Sequence, residues 1–574
     1  MLKSQVAALL DEMASLLEVQ SDNPFQPRAF RSAARSLEGL AGDLEEVIAA
    51  GELRSISGIG ESIAREIVEM AATGTSQRLV ELRAAVPRGI LDLLRIPGLG
   101  SKKVRVLALE LGVDSLDALK LACESGSVAK LKGFGEKTQA KILEGIAYIG
   151  SVSGRFRLDD ALPHAMLLIE HLQRSHRVQR VELAGSLRRG KETVKDVDIV
   201  ASSSEPDAVA DHFVRAPGVI TVVAKGETKT SVRLANGLAS DLRVVSDAEW
   251  PAALQYFTGS KEHNTELRGI ARDLDWKLNE YGLFRGDEPL PLKDEASIYE
   301  ALGLRYIEPE LREGLGEIAL AREGSLPDLL TQPELRGVVH VHTDWSDGAA
   351  SLEAMVEAAR ARGYSYLGVT DHSQSAFYAR GLTPDRVRAQ RAEIDRLNSG
   401  LSDFRIFHGI ESDIRPDGAL DYEPAVLDIF EFVIASVHSS FQLPVEAMTE
   451  RLIRAMKDPH TTFLGHPTGR LLLQRDGYLV DMDRVLRAAG ELGVAVEINA
   501  SPYRLDMDWR LGARARELGV RTGIHPDAHS PEGLDDVAYG VRCARKAGFG
   551  ATHVVNALDA AEFAKFCARR RTGS

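Results

Sequence analysis

The stretch Gly185–Val200, GSLRRGKETVKDVDIV, decides how this chain is interpreted. Its last six residues alternate polar and apolar side chains, which predicts a half-buried strand. On a strand, Asp196 and Asp198 point to the same face, and two adjacent carboxylates repel each other unless a divalent cation lies between them. A Gly-Ser turn and two arginines stand just upstream, and this combination suits Mg²⁺ and a polyphosphate. The stretch therefore predicts a nucleotidyl-transfer site.

A two-metal site needs a third carboxylate, and Asp241 in the stretch Ala239–Val245, ASDLRVV, is the best candidate. It stands at the start of an apolar stretch that follows another predicted strand. By itself Asp241 would more often be an ordinary surface aspartate. Together with Asp196 and Asp198 it completes a set of three carboxylate ligands.

Three glycine turns of one form, Gly–apolar–Gly followed by a predicted helix, recur in residues 1–150. Such a turn presents backbone N–H groups to an anion, and the helix dipole adds to the attraction. Lys102 and Lys103 follow the second turn and can contact phosphates. The turns therefore predict a grip on a nucleic-acid backbone, although turns that only pack helices together have the same form. Their glycines are Gly58, Gly60, Gly98, Gly100, Gly133 and Gly135.

The composition fits an intracellular protein with several domains. At 574 residues the chain is long enough for three or more domains, and it has no apolar run that would span a membrane. Its three cysteines are scattered, which favours a reducing cytosol over a thiolate metal site. The net charge is −14, but residues 95–195 carry more Lys and Arg than Asp and Glu. A basic middle segment is compatible with a DNA track.

From Arg336 onward, short apolar strands alternate with helical stretches, a pattern typical of a parallel α/β barrel or sheet. Ten of the fifteen histidines lie beyond residue 333, most at predicted strand ends, where such folds place their sites. His340 and His342, two residues apart on one predicted strand, are expected to face one way. Imidazole and carboxylate ligands suit Zn²⁺, Mn²⁺ or Fe²⁺, and nine of them indicate two or three ions. The nine candidate ligands are His340, His342, Asp347, His372, Glu411, His438, His466, Asp527 and His529.

Three motifs of this chain together resemble those of the family X DNA polymerases, relatives of polymerase beta. They are Gly185–Gly190, the pair Asp196 and Asp198, and Tyr256–Ser260, YFTGS. With the glycine turns, which resemble helix-hairpin-helix motifs, the resemblance covers residues 1 to about 315. It implies that the three carboxylates are catalytic and hold two Mg²⁺ ions. The residues that it assigns to the incoming nucleotide are Ser186, Arg189, Tyr256, Phe257, Gly259, Asn264 and Arg268.

Residues 334–574 resemble the PHP domain, a distorted α/β barrel with a trinuclear metal site that hydrolyses phosphoesters. All nine ligand positions are filled in this chain, which implies an active centre holding two or three Zn²⁺ or Mn²⁺ ions. The implied reaction is the removal of nucleotides or blocking groups from a DNA 3′ end.

The expected fold is multidomain, with helical N-terminal domains that carry helix-hairpin-helix motifs, an α+β palm and thumb, and a distorted α/β barrel at the C-terminal end. The expected boundaries are an N-terminal helical domain (1–80), a helix-hairpin-helix domain (81–157), a nucleotidyltransferase palm (158–245), a nucleotide-selecting thumb (246–315), a linker (316–333) and the PHP domain (334–574).

Together these features indicate a DNA polymerase that fills short gaps in DNA repair and also acts as a metal-dependent 3′-5′ exonuclease. Its expected partners are gapped or primer–template DNA and dNTPs, with no membrane, and it is expected to be a cytoplasmic, nucleoid-associated monomer. Two alternatives stay open. One is a PHP phosphatase for a small metabolite fused to a nucleotidyltransferase with a non-DNA substrate, and the other is a DNA-binding scaffold without catalysis.

One position departs from the resemblance. The animal repair enzymes of family X carry a Schiff-base lysine on the helix after their first hairpin, and aligning the Gly58–Gly60 turn to that hairpin puts Glu66 there. A carboxylate cannot form an imine. The sequence therefore predicts no 5′-deoxyribose-phosphate lyase activity at this position.

Overall fold

The computed structural model describes residues 3–20, 25–38, 44–56, 58–87, 89–96, 99–226 and 228–572. The chain divides into two compact units, residues 1–153 with 473–475 and residues 154–472 with 476–574. Gly98 of the second glycine turn lies outside the described residues. Within the described part of the chain, no helix is long and apolar enough to cross a membrane.

The first unit is helical and has two apolar cores. Leu10, Phe30 and Ile67 lie in the first core, and Leu107 and Ile142 lie in the second. Both cores form because each helix places its apolar side chains on one face. The helices are α1 (Lys3–Gln20), α2 (Phe25–Glu38), α3 (Leu44–Ala50), α4 (Glu61–Thr73), α5 (Gln77–Ala84), α6 (Ile90–Leu94), α7 (Ser101–Leu111), α8 (Leu116–Glu124) and α9 (Gly135–Val152).

The second unit begins with the expected palm, a mixed five-stranded sheet in the order β2-β4-β7-β6-β5. Only β4 and β7 pair in parallel, and the apolar faces of the strands pack against α10 and α12. The elements are β1 (Phe156–Arg157), α10 (Leu158–Gln173), β2 (Arg180–Leu183), α11 (Gly185–Arg188), β3 (Thr193–Val194), β4 (Asp196–Ser202), α12 (Pro206–Phe213), β5 (Val219–Lys225), β6 (Lys229–Leu234) and β7 (Ala239–Val245).

The expected thumb follows with its own apolar core. Helix α16 lies inside residues 316–333, the stretch that the sequence assigned to a linker, and its Ile318 and Ala321 are buried in the thumb core. The apolar residues of this short helix therefore pack in the thumb core. The elements are α13 (Trp250–Thr258), α14 (Lys261–Asp273), β8 (Trp276–Asn279), β9 (Gly282–Arg285), β10 (Glu288–Pro289), α15 (Ala296–Ala301) and α16 (Glu317–Glu323).

The remaining strands, β11 to β17, form a seven-stranded parallel sheet in sequence order. The backbone N–H of His342 donates to Ala528 O at 2.9 Å, so the chain after the last strand pairs with the first and nearly closes the barrel. This confirms the expected parallel α/β barrel. The elements are β11 (Gly337–Val341), α17 (Leu352–Ala361), β12 (Tyr366–Val369), α18 (Pro384–Asn398), β13 (Arg405–Asp413), α19 (Pro424–Leu427), β14 (Phe432–Ser436), α20 (Val445–Lys457), β15 (Thr461–Leu464), α21 (Met482–Leu492), β16 (Ala495–Asn499), α22 (Gly512–Glu517), β17 (Thr522–His525), α23 (Val537–Lys546) and α24 (Ala560–Thr572).

Candidate active sites

The three aspartates predicted to be catalytic, called here the carboxylate site, lie on two neighbouring strands. The parallel register of β4 and β7 sets Asp198 opposite Asp241, and Asp196 lies two residues earlier on the same face of β4. Gly185 allows this arrangement, because a Cβ there would lie 2.0 Å from Asp198 Oδ2 and its φ is +60°. The Gly-Ser turn therefore brings its backbone directly against a ligand carboxylate.

The carboxylate site concentrates negative charge. Burial and the charges of Asp196 and Asp241 raise the pKa of Asp198 to about 6, and burial with the charge of Asp241 raises the pKa of Asp196. Asp241 is better compensated, since Ser231 Oγ donates to it at 2.6 Å and Lys229 Nζ lies 2.5 Å away. Three oxygen ligands whose mutual repulsion disfavours ionisation fit a divalent cation such as Mg²⁺. The sequence interpretation missed the Lys229 and Ser231 contacts, because they come from the adjacent strand β6.

An open pocket of about 390 Å³ lies beside Asp196 and Asp198. All seven residues assigned to the incoming nucleotide line it, although they come from segments as far apart as 185–189 and 256–268. Thr258, Ser260 and Lys261 also line it and were not predicted. The predicted lining residues are Ser186, Arg189, Tyr256, Phe257, Gly259, Asn264 and Arg268.

Contacts inside the pocket wall hold these side chains in place. Asn264 Nδ2 donates to Tyr256 O at 2.8 Å, and Gln255 Nε2 donates to Asn264 Oδ1 at 2.8 Å. Arg268 Nε donates to Asn264 O at 3.2 Å. The rings of Tyr256 and Phe257 pack edge to face with centroids 5.2 Å apart. The wall is thus organised before a ligand is present, which reduces the entropy lost on binding.

Arg189 is fixed by a residue of the barrel. Its Nη1 donates to Thr258 O at 2.5 Å, and its Nε donates to Glu313 Oε1 at 3.0 Å. Lys546 of α23, which is buried, lies 2.6 Å from the same carboxylate and donates to Arg189 O at 2.9 Å. Burial alone would raise the pKa of Glu313, but Lys546 and Arg189 lower it to about 2. Glu313 is therefore an anion that joins the residues of this pocket to the barrel.

Further ion pairs connect the polymerase-like part to the barrel. Glu192 pairs with Arg510 at 3.1 Å, and Glu310 pairs with Arg545 at 2.6 Å. The ammonium groups of Lys191 and Lys546 stand 4.7 and 4.5 Å from the ring centroid of Trp509, which belongs to the barrel. In each of these ion pairs the carboxylate comes from the polymerase-like part and the cation from the barrel.

The structure brings all nine predicted imidazole and carboxylate ligands together at the carboxyl-terminal mouth of the barrel, and this cluster is called the histidine site. Six of the seven strands supply them. The sequence predicted His340 on a regular strand. In the structure, β11 has a bulge between Val339 and Val341, and His340 has a φ of +65°. The bulge still leaves the rings of His340 and His342 5.3 Å apart. Bulges are common next to active sites, where they redirect a side chain.

Glu411 lies at the centre of the histidine site. Its carboxylate is 3.0 Å from His372 Nδ1, 3.0 Å from His466 Nε2 and 3.2 Å from His438 Nε2. It is also 3.3 Å from His340 Nε2. Burial alone would raise the pKa of Glu411, but the nearby imidazoles hold it well below its usual range. A carboxylate shared by this many imidazoles would offer its oxygens as ligands to metal ions.

Two other carboxylates complete the cluster. Asp527 Oδ1 lies 3.2 Å from His342 Nε2 and 3.5 Å from His340 Nε2. Asp347 Oδ1 lies 3.3 Å from His529 Nε2 and 3.7 Å from His372 Nε2. The donor atoms therefore fall into overlapping groups, each compact enough for one ion.

Unpaired nitrogen atoms indicate that this cluster suits metal ions. His342 Nδ1 is buried without a hydrogen-bond partner in the described structure, and His340 Nε2 and His342 Nε2 lie near carboxylate oxygens without hydrogen-bond geometry. Such orphaned atoms are unfavourable unless a ligand satisfies them. Burial and the neighbouring rings of His529 and His372 lower the pKa of His342 to about 3, so its imidazole is neutral, as metal ligation requires. His340, His466 and Asp527 also have positive φ, a strain typical of functional sites.

The sequence interpretation missed three residues behind the ligands. Glu497 lies on β16 with Oε1 2.5 Å from His340 Nδ1 and 2.9 Å from His525 Nδ1, and all three side chains are buried. Asp413 Oδ1 lies 2.6 Å from His438 Nδ1. These carboxylates orient the imidazoles from behind. A glutamate within an otherwise apolar strand, as in VAVEIN, was the available signal for Glu497.

The glycine turns of the first unit lie where helices begin. Gly60 and Gly100 precede α4 and α7, with no side-chain cap at either position, and Gly135 starts α9. Gly58 and Gly133 have φ of +83° and +87°, which favours glycine. Lys102 is exposed on the first turn of α7, with Lys103 half-buried beside it. Because no side chain caps α4 or α7, the first N–H groups of these helices can attract an anion.

Comparison with protein-family models gives matches in four segments. The DNA polymerase beta thumb model matches residues 253–313, and the PHP domain model matches residues 339–501. A helix-hairpin-helix domain model matches residues 1–76, and a SAM-like helix-hairpin-helix tandem model matches residues 90–147.

The similar proteins match either nearly the whole chain or about a third of it. The DNA polymerase/3′-5′ exonuclease PolX of Bacillus subtilis is 39% identical over 571 residues, 99% of this chain and 99% of that protein. Probable phosphatases match a shorter part. One from Caldanaerobacter subterraneus subsp. tengcongensis is 28% identical over 34% of this chain and 78% of its own length, and one from a Thermoanaerobacter species is 28% identical over 29% of this chain and 74% of its length.

Proposed function

This chain belongs to the family X DNA polymerases that carry a C-terminal PHP domain, and from that premise we propose that it fills short gaps in DNA at the carboxylate site and removes nucleotides from DNA 3′ ends at the histidine site. The convergence of the predicted nucleotide-binding residues in one pocket beside Asp196 and Asp198 carries the first half of this proposal. The nine clustered imidazoles and carboxylates support the second half.

At the carboxylate site, Asp196, Asp198 and Asp241 would hold two Mg²⁺ ions. When bound, these ions would activate the primer 3′-hydroxyl and neutralise charge that develops at the α-phosphorus. Arg189 and Ser186 line the pocket and would contact the triphosphate, where a guanidinium can stabilise the leaving pyrophosphate. Tyr256 and Phe257 provide an aromatic wall for the sugar and the base.

At the histidine site, the nine ligands would hold two or three Zn²⁺ or Mn²⁺ ions. Bound there, the ions would supply Lewis acidity and a nucleophile for phosphodiester hydrolysis. The chain itself orients the ligands, since Asp413 and Glu497 hold the Nδ1 atoms of His438 and His340.

The helix-hairpin-helix turns would hold the DNA backbone without reading its sequence, through the N–H groups at the starts of α4 and α7 and through Lys102 and Lys103. We propose gapped or primer–template DNA and dNTPs as the substrates. A monomer at the nucleoid in the cytoplasm completes the proposal, since one chain contains every residue assigned to both sites.

The test is extension of a primer across a one- to five-nucleotide gap with Mg²⁺ and dNTPs, alongside release of nucleotides from a labelled 3′ end with Mn²⁺. Wild-type protein should do both. Asp198→Ala should abolish extension, because the site loses its most buried carboxylate, and should leave hydrolysis at the 3′ end intact. Asp207→Ala, at an exposed aspartate of α12, is the matched control. Normal extension by Asp198→Ala, or no extension by wild type, would overturn the polymerase proposal.

A further inference from the structure

A turn at the rim of the histidine site exposes two large aromatic side chains. The turn, residues 373–382, directly follows the ligand His372 and is called the aromatic turn. Within it, the side chains of Phe377 and Tyr378 are 87% and 70% exposed. Two neighbouring exposed rings form an apolar patch, and such patches are more informative about ligand or partner contacts than a single exposed ring is.

The aromatic turn is held in one conformation although its rings are open. Leu382 N donates to His372 O at 2.8 Å and closes the turn at its base. Ser375 N donates to Asp421 Oδ2 at 2.7 Å, and Ala376 and Ala379 on either side of the rings are buried. The backbone is therefore anchored while the two rings project outward. A preorganised turn loses less entropy when its side chains bind something.

The rings lie beside the metal ligands. The centroid of the Tyr378 ring is 6.0 Å from that of His372. Burial and the nearby charges of Asp413, Glu411 and Asp347 raise the pKa of Tyr378, whereas the charge of Arg504 lowers it. Arg504 Nε is in turn 3.8 Å from Asp527 Oδ2. An aromatic face, a guanidinium and the metal ligands thus meet at one rim. These are the groups that contact the base, the phosphate and the scissile bond of a nucleotide.

A DNA 3′ end must leave its duplex to reach a site in the mouth of a barrel, and unstacking exposes its bases to water. Aromatic side chains replace the lost base stacking, and they can stack on any of the four bases. We propose that Tyr378 and Phe377 form a stacking platform for the last unpaired bases of a single-stranded 3′ end, with Tyr378 nearer the scissile bond. This inference rests on the proposed exonuclease function and names its preferred substrate as unpaired, base-bearing DNA.

The experiment measures KM and kcat for the release of terminal nucleotides from two single-stranded oligonucleotides. One has normal 3′ nucleotides, and the other ends in two abasic tetrahydrofuran residues. For the double variant Phe377→Ala/Tyr378→Ala, KM on the normal oligonucleotide should rise about tenfold or more, the size of one to two lost stacking contacts. Its KM on the abasic oligonucleotide should equal that of wild type, and kcat should hold on both. Tyr378→Trp should keep wild-type KM, since its ring also stacks.

Tyr281→Ala, at an exposed tyrosine between β8 and β9, is the matched control, and gap filling by each preparation shows that it is folded. An unchanged KM for the double variant would overturn the platform. So would an equal rise on both oligonucleotides, which would indicate a general distortion of the site. A change in oligomeric state with unchanged KM would assign the rings to a protein partner instead. If wild type hydrolyses neither oligonucleotide, the proposed exonuclease function itself has failed.

Discussion

The carboxylate site and the histidine site differ in how they balance charge before a metal binds. The carboxylate site sets three anions together beside an open pocket, and only Asp241 has a close cation, Lys229, among the described residues. The raised pKa values of Asp196 and Asp198 reflect the repulsion that results. In the histidine site, imidazoles surround each carboxylate, so that the pKa of Glu411 falls and that of His438 rises to about 10.

This difference shows two ways to prepare a metal site. A cluster of like charges attracts a dication strongly but destabilises the metal-free fold. Such a site suits ions that enter and leave with each nucleotide. Mixed imidazole and carboxylate ligands hold one another in the metal-free state, which suits ions that stay bound. The two sites should therefore respond differently to substitution, pH and distant contacts.

Substitution in the histidine site should have the largest effect and should separate the two activities. His342→Ala removes a buried imidazole that faces Asp527 and Glu411. We expect the rate of nucleotide release to fall by at least about a hundredfold, since several kcal/mol of charge stabilisation is lost. Gap filling should be unchanged. The measurement is the rate of nucleotide release from a labelled 3′ end, with His176→Ala, at an exposed histidine of the palm, as control. Loss of both activities would contradict two independent centres.

Relief of repulsion at the carboxylate site should stabilise the metal-free protein. The folded pKa of Asp198 is about 6 and its ordinary value is 3.8, so stability relative to the unfolded chain is lost as pH rises through this interval. Asp198→Asn should therefore stabilise the second unit by about 2 kcal/mol at pH 8, with no difference below about pH 4. Urea unfolding in EDTA at several pH values measures this. A stabilisation that persists at pH 4 would show that the cause is not the charge of Asp198.

A residue of the barrel should affect nucleotide binding at the other site. Lys546→Met leaves Glu313 without its buried ammonium partner and removes a hydrogen bond to Arg189 O. We expect KM for dNTPs to rise about tenfold, the size of one lost charge-assisted hydrogen bond. The rate of nucleotide release at the histidine site should not change. Steady-state gap filling measures KM, and Lys565→Met on the exposed face of α24 is the control. An unchanged KM would mean that the contacts of Lys546 join the polymerase-like part to the barrel without affecting dNTP binding.

The last prediction is the absence of an activity, the removal of a 5′-deoxyribose phosphate at the 5′ end of a gap. Glu66 on α4 offers no amine, so borohydride should trap no adduct between wild-type protein and DNA carrying a 5′-deoxyribose phosphate. The variant Glu66→Lys restores an amine at that position and serves as the comparison. Efficient trapping by wild type would show that another lysine acts as the nucleophile, and that both ends of a gap are processed.

Local patterns in the sequence predicted much of both sites. The alternation around Asp196 and Asp198 predicted a strand with both carboxylates on one face, and the parallel register then placed Asp241 opposite. Strand ends rich in histidine predicted the barrel mouth, because parallel strands share one carboxyl edge. The family resemblance supplied the roles of the pocket residues, which no single pattern encodes.

The remainder depended on contacts between distant segments. The bulge at His340 depends on how the two ends of the barrel sheet meet, and strand alternation carries no sign of it. Lys546 resembles any basic residue at the end of a helix, and only the fold places it under Arg189. The neighbouring glycine and proline residues of α16 favour a linker, whereas its apolar face packs in the thumb.

The ion pairs between the polymerase-like part and the barrel limit how these domains can be exchanged between proteins. All three carboxylates, Glu192, Glu310 and Glu313, belong to one side, and the barrel supplies Arg510, Arg545 and Lys546. A barrel from another protein would have to bring three cations in the same places. Otherwise Glu192 and Glu310 would lose their cationic partners at about 3–5 kcal/mol each, and Glu313 would keep only Arg189 and Lys191 of its own side. A chimera should therefore keep Trp509–Lys546 from the original chain whenever it keeps the nucleotide pocket.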